Sequence, residues 1–188
     1  MKVTPEIVRE LLHYDPETGA FTWRERDRRW FKSGRDCRAW NTRYAGNRAG
    51  RVWIGRYGYQ SRMVGLLGWK SYEHHLAWMW MTDEPLPEQV DHKNRDGRDN
   101  RWCNLRASTV TENGRNQSLS RRNTSGTIGV TWDRRAGMWK AQCRIDGQQQ
   151  NLGNFHDIEE ARCVAREFRA AHGFDPGHGQ QVAHYHAP

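Results

Sequence analysis

The sequence is short of apolar residues. Hydrophobic side chains make up 36% of its 188 positions, and the mean hydropathy is -1.05. A chain this polar does not fill one large core, so small modules joined by polar segments are expected. No apolar run reaches the length of a membrane-spanning helix, and the opening MKVTPEIVRELLHYDPETG has no apolar signal segment. Cysteine is scarce. Cys37, Cys103, Cys143 and Cys163 are the four, and no two form a Cys-x-x-Cys pair. A disulfide framework and a cysteine zinc site are therefore not expected. Reduced thiols in a cytoplasm are.

What the chain has in excess is positive charge and tryptophan. Thirty Lys and Arg stand against 22 Asp and Glu, a formal charge of +8, with a pI near 9.7. This balance points to a polyanion partner. Arg outnumbers Lys, and its planar fork suits phosphate. No basic amphipathic helix stands out, so a membrane surface is not the expected partner. Ten tryptophans can stiffen small cores that lack aliphatic mass, because each ring buries a large area.

Residues 5–13 read as a short helix, capped by Thr4 and with Pro5 at its first position. Asp15 to Gly19 is a turn before the strand-like segment 20–23. Residues 24–50 give no clear pattern, 51–69 read as weak strands broken by Gly, and 72–81 read as a helix. A strand at 89–92, a polar loop and a partner strand at 104–107 follow. Thr109 and Glu112 have capping-box spacing for the next helix, which places Asn113 in its first turn. Residues 118–125 form a basic linker. Segments 129–132, 138–145 and 149–153 read as three strands, and 156–173 as an amphipathic helix that Gly173 ends. Residues 174–188 read as a flexible tail, with His178, His184 and His186.

The loop VDHKNRDGRDNRWCNLR (residues 90–106) carries the chemistry. A calcium loop of the EF-hand kind is excluded, because placing Gly97 at its sixth position puts His92 and Cys103 where carboxylates are needed. Phosphodiester hydrolysis fits better. It needs a metal to neutralise phosphate charge and a base to activate water. Asp91 offers a carboxylate and Asn113 an amide oxygen, both suited to a hard cation that keeps its waters. Alternation sends Asp91 and His92 to opposite sides, but a twisted strand end lets both border one groove. A neutral His92 can take a proton near pH 7. Asn104 can bridge the loop and hold His92 in place.

Residues 74–117 resemble the HNH homing-endonuclease family in its phage form. The matching positions are His74, Leu76, Ala77 and Trp78, then Val90, Asp91, His92, Asn94, Asp99, Asn100, Arg101, Asn104, Leu105 and Arg106. Asn113 matches the third motif residue. Arg95-Asp96-Gly97 departs from the more frequent Gly-Asp-x, which puts the loop conformation in question. The resemblance implies a ββα-metal fold, His92 as general base, Asn104 as the orienting residue, and Asp91 with Asn113 as ligands of a divalent metal, Mg²⁺ first and Mn²⁺ second. It also implies double-stranded DNA as partner and a bacterial host cell as compartment. One module holds one active site, so a monomer would nick one strand, and a double-strand cut would need a homodimer or two sequential events.

Residues 125–173 resemble the ethylene-response-factor type of DNA-binding domain, through Gly129-Val130, Trp139, Ala141, Leu152-Gly153, Phe155 and Glu160-Ala161. That family lays a three-stranded sheet in the major groove. The DNA-contacting candidates are Trp132, Arg134, Lys140, Gln142 and Arg144, with Arg144 best suited to a guanine edge, and Arg101, Arg106, Arg121 and Arg122 beside them. Thr131 and Asp133 stand where the family's early arginines would be, so sequence preference should differ.

The expected class is α+β, a ββα-metal nuclease module plus a small antiparallel sheet packed on one helix. The expected divisions are an accessory region at 1–70 that is a candidate for DNA contact, a nuclease module at 71–117, a linker at 118–125, a DNA-binding domain at 126–173 and a tail at 174–188. His74 and His75 are expected to pack, and Trp30 and Trp132 are the tryptophans best placed for stacking on DNA. Two other readings remain, a non-catalytic DNA-binding regulator and a single-strand RNA-binding protein.

Overall fold

The computed structural model describes residues 3–55, 59–84, 86–120 and 122–180. It divides into two compact units, Met1–Ala107 and Ser108–Pro188.

The first unit begins with α1 (Pro5–Leu11), whose first turn is capped by the Thr4 hydroxyl accepting from the Ile7 amide. The helix ends two residues before the expected position. Leu12 and Tyr14 are buried and His13 is exposed, a strand alternation, so these residues form β1 (Leu12–Asp15). It pairs antiparallel with β2 (Ala20–Trp23). The expected turn between them is present, and its Gly19 has a φ of 70°. A Cβ there would lie 2.4 Å from the Asn100 carbonyl carbon. Glycine is what lets this turn press against the polar loop.

The stretch without a clear pattern contains α2 (Gly34–Tyr44), capped by Ser33 and without a buried residue. Its apolar content is aromatic: Trp40 meets Trp23 edge-on at 5.6 Å, and the Arg26 guanidinium lies 3.9 Å over the Trp40 ring. Next come β3 (Arg51–Ile54), β4 (Gln60–Leu66) and β5 (Trp69–Tyr72), an antiparallel sheet in that order. Then α3 (Glu73–Thr82) leads to β6 (Gln89–His92), which pairs with β7 (Leu105–Ser108). One core gathers Val8, Leu11, Tyr14 and Phe21 with Val64, Leu76, Val90 and Leu105. It draws on residues from both sides of position 70, so the polar chain does build a sizeable core. Arg9 ties α1 to the end of α3 through the Trp80 carbonyl and Asp83.

The second unit holds α4 (Val110–Arg115), where the Thr109–Glu112 capping box forms in both directions. Then come β8 (Val130–Asp133), β9 (Met138–Ile145), β10 (Gln148–Phe155) and α5 (Ile158–Ala171). The sheet order is β10-β9-β8, with antiparallel pairing throughout. Ala161 and Ala165 of α5 pack on Val130 and Ala141, with Trp139, Leu152 and Phe155 around them. The small residues let helix and sheet approach closely. Gly129 (φ 74°) faces the β9 backbone, and a Cβ there would lie 2.1 Å from the Gln142 carbonyl oxygen.

Candidate active site

The β6 strand ends in three buried residues, Val90, Asp91 and His92. The turn that follows is built by side-chain amides. Asn104 accepts from the Asn94 amide at 3.0 Å through Oδ1. Its Nδ2 donates to Asn94 Oδ1 at 2.9 Å and to the Asp99 carbonyl at 2.7 Å, and its own carbonyl accepts from Lys93 N at 2.8 Å. Asn104 therefore closes the loop, as the sequence suggested. The group that engages the His92 ring is a different one, Asn100.

His92 Nε2 lies 3.0 Å from Asn100 Oδ1. Asn100 is 1% exposed, and its Nδ2 donates to Glu73 Oε2 at 3.1 Å. A carboxylate only accepts, so the amide must turn its nitrogen to Glu73 and its oxygen to His92. The amide oxygen in turn only accepts, so Nε2 carries the hydrogen and the lone pair of a neutral ring sits on Nδ1. Glu73 itself is fully buried at the start of α3. Arg48 Nη2 reaches it at 2.7 Å and Arg62 Nε at 3.1 Å. These pairs compensate the cost of burying its charge. Tyr14 completes the frame, its hydroxyl donating to the Asn100 carbonyl at 2.6 Å.

His92 rests edge-on against His74, with ring centroids 4.8 Å apart. His74 stacks on Tyr72 at 5.3 Å and meets His75 at 4.4 Å, so His74 and His75 are packing groups as expected. Burial pushes the His74 pKa down to about 2, with His92 and His75 adding to the effect. Burial also lowers His75 and His92, and for His92 the Asn100 hydrogen bond and the Asp91 carboxylate oppose the shift. All three rings are held neutral at pH 7.

Asp91 Oδ2 accepts from Arg106 Nε at 3.1 Å and Nη2 at 2.9 Å. Arg106 was expected to contact DNA, but its fork grips Asp91. Arg101 is likewise held by Asp99, at 2.8 and 2.6 Å. The Arg101 hydrogen bond in turn keeps the Asp99 carboxyl below its usual range. Asn113 lies on α4 in the second unit, with its amide donating to the Thr109 carbonyl at 2.9 Å.

Among the described residues, no three His, Cys, Asp or Glu side chains converge to hold a metal. The donor set expected here is sparser, one carboxylate and one amide oxygen. Each of these oxygen types suits a hard divalent cation that keeps several waters, and Asp91 has a nearly buried carboxylate oriented by Arg106.

Two features escaped sequence reasoning. Glu73 is the lone acid in the apolar helix segment YEHHLAWMWM, which was its only signal. Arg95 adopts φ 64°, and its buried Nε and Nη1 have no hydrogen-bond partner among the described residues. It occupies the position where the sequence departs from the family pattern.

The remaining DNA-contacting candidates are dispersed. Arg121 lies outside the described residues, as do His184 and His186. Arg122 and Arg134 are exposed. Lys140, Gln142 and Arg144 alternate with the buried Ala141 and Cys143 along β9, so they point away from α5. Trp132 pairs with Trp139 in the register, and their rings lie 5.1 Å apart. It is therefore on the helix side of the sheet, opposite those three. Trp30 packs against the first core, and its indole nitrogen donates to Glu10 at 2.8 Å.

Residues 71–115 match the HNH endonuclease family. The chain is also similar to Protein 3.8 of Escherichia phage T7, with 26% identity over 107 residues, 56% of this chain and 88% of that protein. No solved structure matches. These likenesses support the HNH resemblance and a phage relative. They do not extend that support to the ethylene-response-factor resemblance. The described residues form small antiparallel sheets with helices, a mixed α and β structure. None of their helices is long and apolar enough to cross a membrane.

Proposed function

We propose that this chain is a homing-type, divalent-metal-dependent endonuclease of phage or prophage origin that nicks duplex DNA. The observation that carries the reading is the Glu73–Asn100–His92 line beside Asp91, on the segment that matches the HNH endonuclease family. His92 receives a proton from the attacking water on Nδ1, while Nε2 stays committed to Asn100. Burial keeps the ring neutral and ready to accept it. Asn104 holds the loop in shape around that ring. Asp91 and Asn113 would hold the cation, Mg²⁺ by preference, which when bound supplies charge neutralisation at the phosphate and the leaving 3′ oxygen. Residues 126–173 anchor the enzyme on DNA, with Lys140, Gln142 and Arg144 as contacts and the basic linker tracking the backbone.

The test is supercoiled plasmid and a phage DNA pool with Mg²⁺, with Mn²⁺ and with EDTA, run beside His92→Ala. Metal-dependent open circles that vanish with EDTA and with His92→Ala, while DNA binding persists, support the reading. Direct linear product points to paired active sites in a homodimer. Tight binding without cutting under any metal supports the regulator instead, and cutting by His92→Ala at the wild-type rate removes His92 from the mechanism.

A further inference from the structure

The three strands β8, β9 and β10 have one face against α5 and one face turned outward. Register and alternation define the outward face. Thr131 and Asn154 flank Lys140, Asn151 lies opposite Gln142, and Gln149 lies opposite Arg144. The pattern is chemically narrow. Beside Asp133 and Met138 at its edge, it holds amides, one hydroxyl and two cations. Asp133, the carboxylate at that edge, accepts from the turn amides of Arg135 and Ala136 at 2.9 and 3.2 Å. Asn151, Asn154, Gln149 and Arg144 are exposed, and Gln142 and Lys140 are half-buried. Solubility alone does not require amides here, because exposed strand surfaces are met as well by Lys, Glu and Thr.

The dimensions suit base reading. Outward residues two apart on a strand are separated by about 6.7 Å, so Lys140 to Arg144 spans about 13 Å. That is roughly four base steps at about 3.4 Å each. Two strands side by side fit the roughly 12 Å major groove. A carboxamide offers one donor and one acceptor at the spacing of adenine N7 and N6, whereas Arg offers paired donors for guanine O6 and N7. Asn151 Oδ1 accepts from the Gly153 amide at 3.4 Å, which orients the side chain and leaves that oxygen a second lone pair. At the Arg144–Gln149 end, the face borders a groove of about 440 Å³ whose far wall is α4. The helix that carries Asn113 thus stands beside this surface within the same compact unit.

We propose that this amide face is the sequence-reading surface, with Gln142 and Asn151 each reading an adenine and Arg144 reading a guanine at one end, so that the preferred target is adenine-containing duplex DNA. Lys140 supplies backbone contact. The proposal rests on the reading of residues 126–173 as a DNA-binding unit, and names what that unit selects.

The test uses the full chain in EDTA, so that no strand is cut, with a pool of randomised duplexes. Bound duplexes are sequenced for the wild type and for Gln142→Ala, Asn151→Ala and Arg144→Ala. Each selected adenine is then replaced by 7-deazaadenine, which lacks the N7 acceptor. The expected result is a site with adenines at fixed steps. Asn151→Ala and Gln142→Ala each make one step indifferent, with affinity for the wild-type site down about ten-fold. 7-Deazaadenine at that step weakens the wild type equally and leaves the matching variant unchanged. The dependence of affinity on salt stays as it was, since no phosphate contact is lost. If adenine preference is absent, or survives both amide substitutions while Arg144→Ala still weakens binding, the amide assignment is overturned and the DNA-binding reading stands. If no substitution on this face alters binding, the DNA-binding reading of the sheet fails with it.

Discussion

Replacing Asn100 by alanine is the sharpest probe of the active-site frame. The change removes the acceptor at His92 Nε2 and one donor to Glu73, at a position 1% exposed. A buried polar group that loses its partner costs about 1–3 kcal/mol, so two such losses bracket about 2–6 kcal/mol. Arg48 and Arg62 still hold Glu73, and a water in the vacated amide volume restores part of the rest. About 2–3 kcal/mol is therefore expected. In a unit of this size that lowers Tm by roughly 10–20 °C. Eight of the ten tryptophans lie in the first unit, so tryptophan fluorescence on heating follows its unfolding. The effect on nicking is larger in kind, because the ring is no longer held in one tautomer and one orientation. A loss of about 100-fold in rate is expected from misplacement of that order. Nitrogen-15 NMR of the imidazole separates this from simple destabilisation: the wild type carries its hydrogen on Nε2, and Asn100→Ala mixes the tautomers. Asn104→Ala is the control, since it loosens the loop while leaving the Asn100 contact on the ring. The reasoning is refuted if Asn100→Ala nicks at the wild-type rate with Nε2 still fully protonated.

Three further outcomes follow from the same geometry. Glu73→Gln leaves Arg48 and Arg62 without their counter-charge. Because both arginines are partly solvated, the cost is about 1–3 kcal/mol rather than the full penalty of a broken buried pair, and an unchanged urea midpoint would show that the carboxylate is dispensable. His74 has its pKa depressed to about 2, so the unfolded chain takes up its proton first as pH falls. Its contribution to stability is full above about pH 6.5 and is lost toward pH 2 at about 1.4 kcal/mol per unit. His74→Phe, which keeps a ring on Tyr72, should flatten the acid-unfolding curve, and an equal slope in both proteins would exclude His74 as a source. Arg95→Gly relieves a left-handed backbone and two buried nitrogens, Nε and Nη1, without a hydrogen-bond partner among the described residues. Unfolding free energy should rise by about 1 kcal/mol, and a fall would mean that the guanidinium is paid for by contacts that hold the loop.

Local rules made much of the chain legible. Thr4 and Thr109 cap their helices because a hydroxyl beside free amides is a purely local arrangement. The strand–loop–strand around Asp91 and His92, and the loop-closing role of Asn104, were also readable, since an amide-rich turn satisfies itself within a few residues. What the sequence could not decide were the contacts between distant segments. Leu12 satisfies a helix pattern as well as a strand pattern, and only Phe21 and Trp23 across the hairpin settle it. Arg106 looked like a phosphate contact because its charge is visible in the sequence and Asp91, 15 residues earlier, is not visibly its partner. Trp132 was a candidate for stacking on DNA beside Lys140, Gln142 and Arg144, and the register places it on the other side of the sheet from them, where it remains exposed. Glu73, 27 residues from Asn100, orients the amide that orients His92. The sequence by itself determined which chemical groups are available and where the chain turns, because propensity, capping and turn chemistry act over a few residues. The tertiary structure alone decided which ring nitrogen carries the proton, because that depends on a buried line in which Glu73, held by Arg48 and Arg62, orients Asn100 against His92.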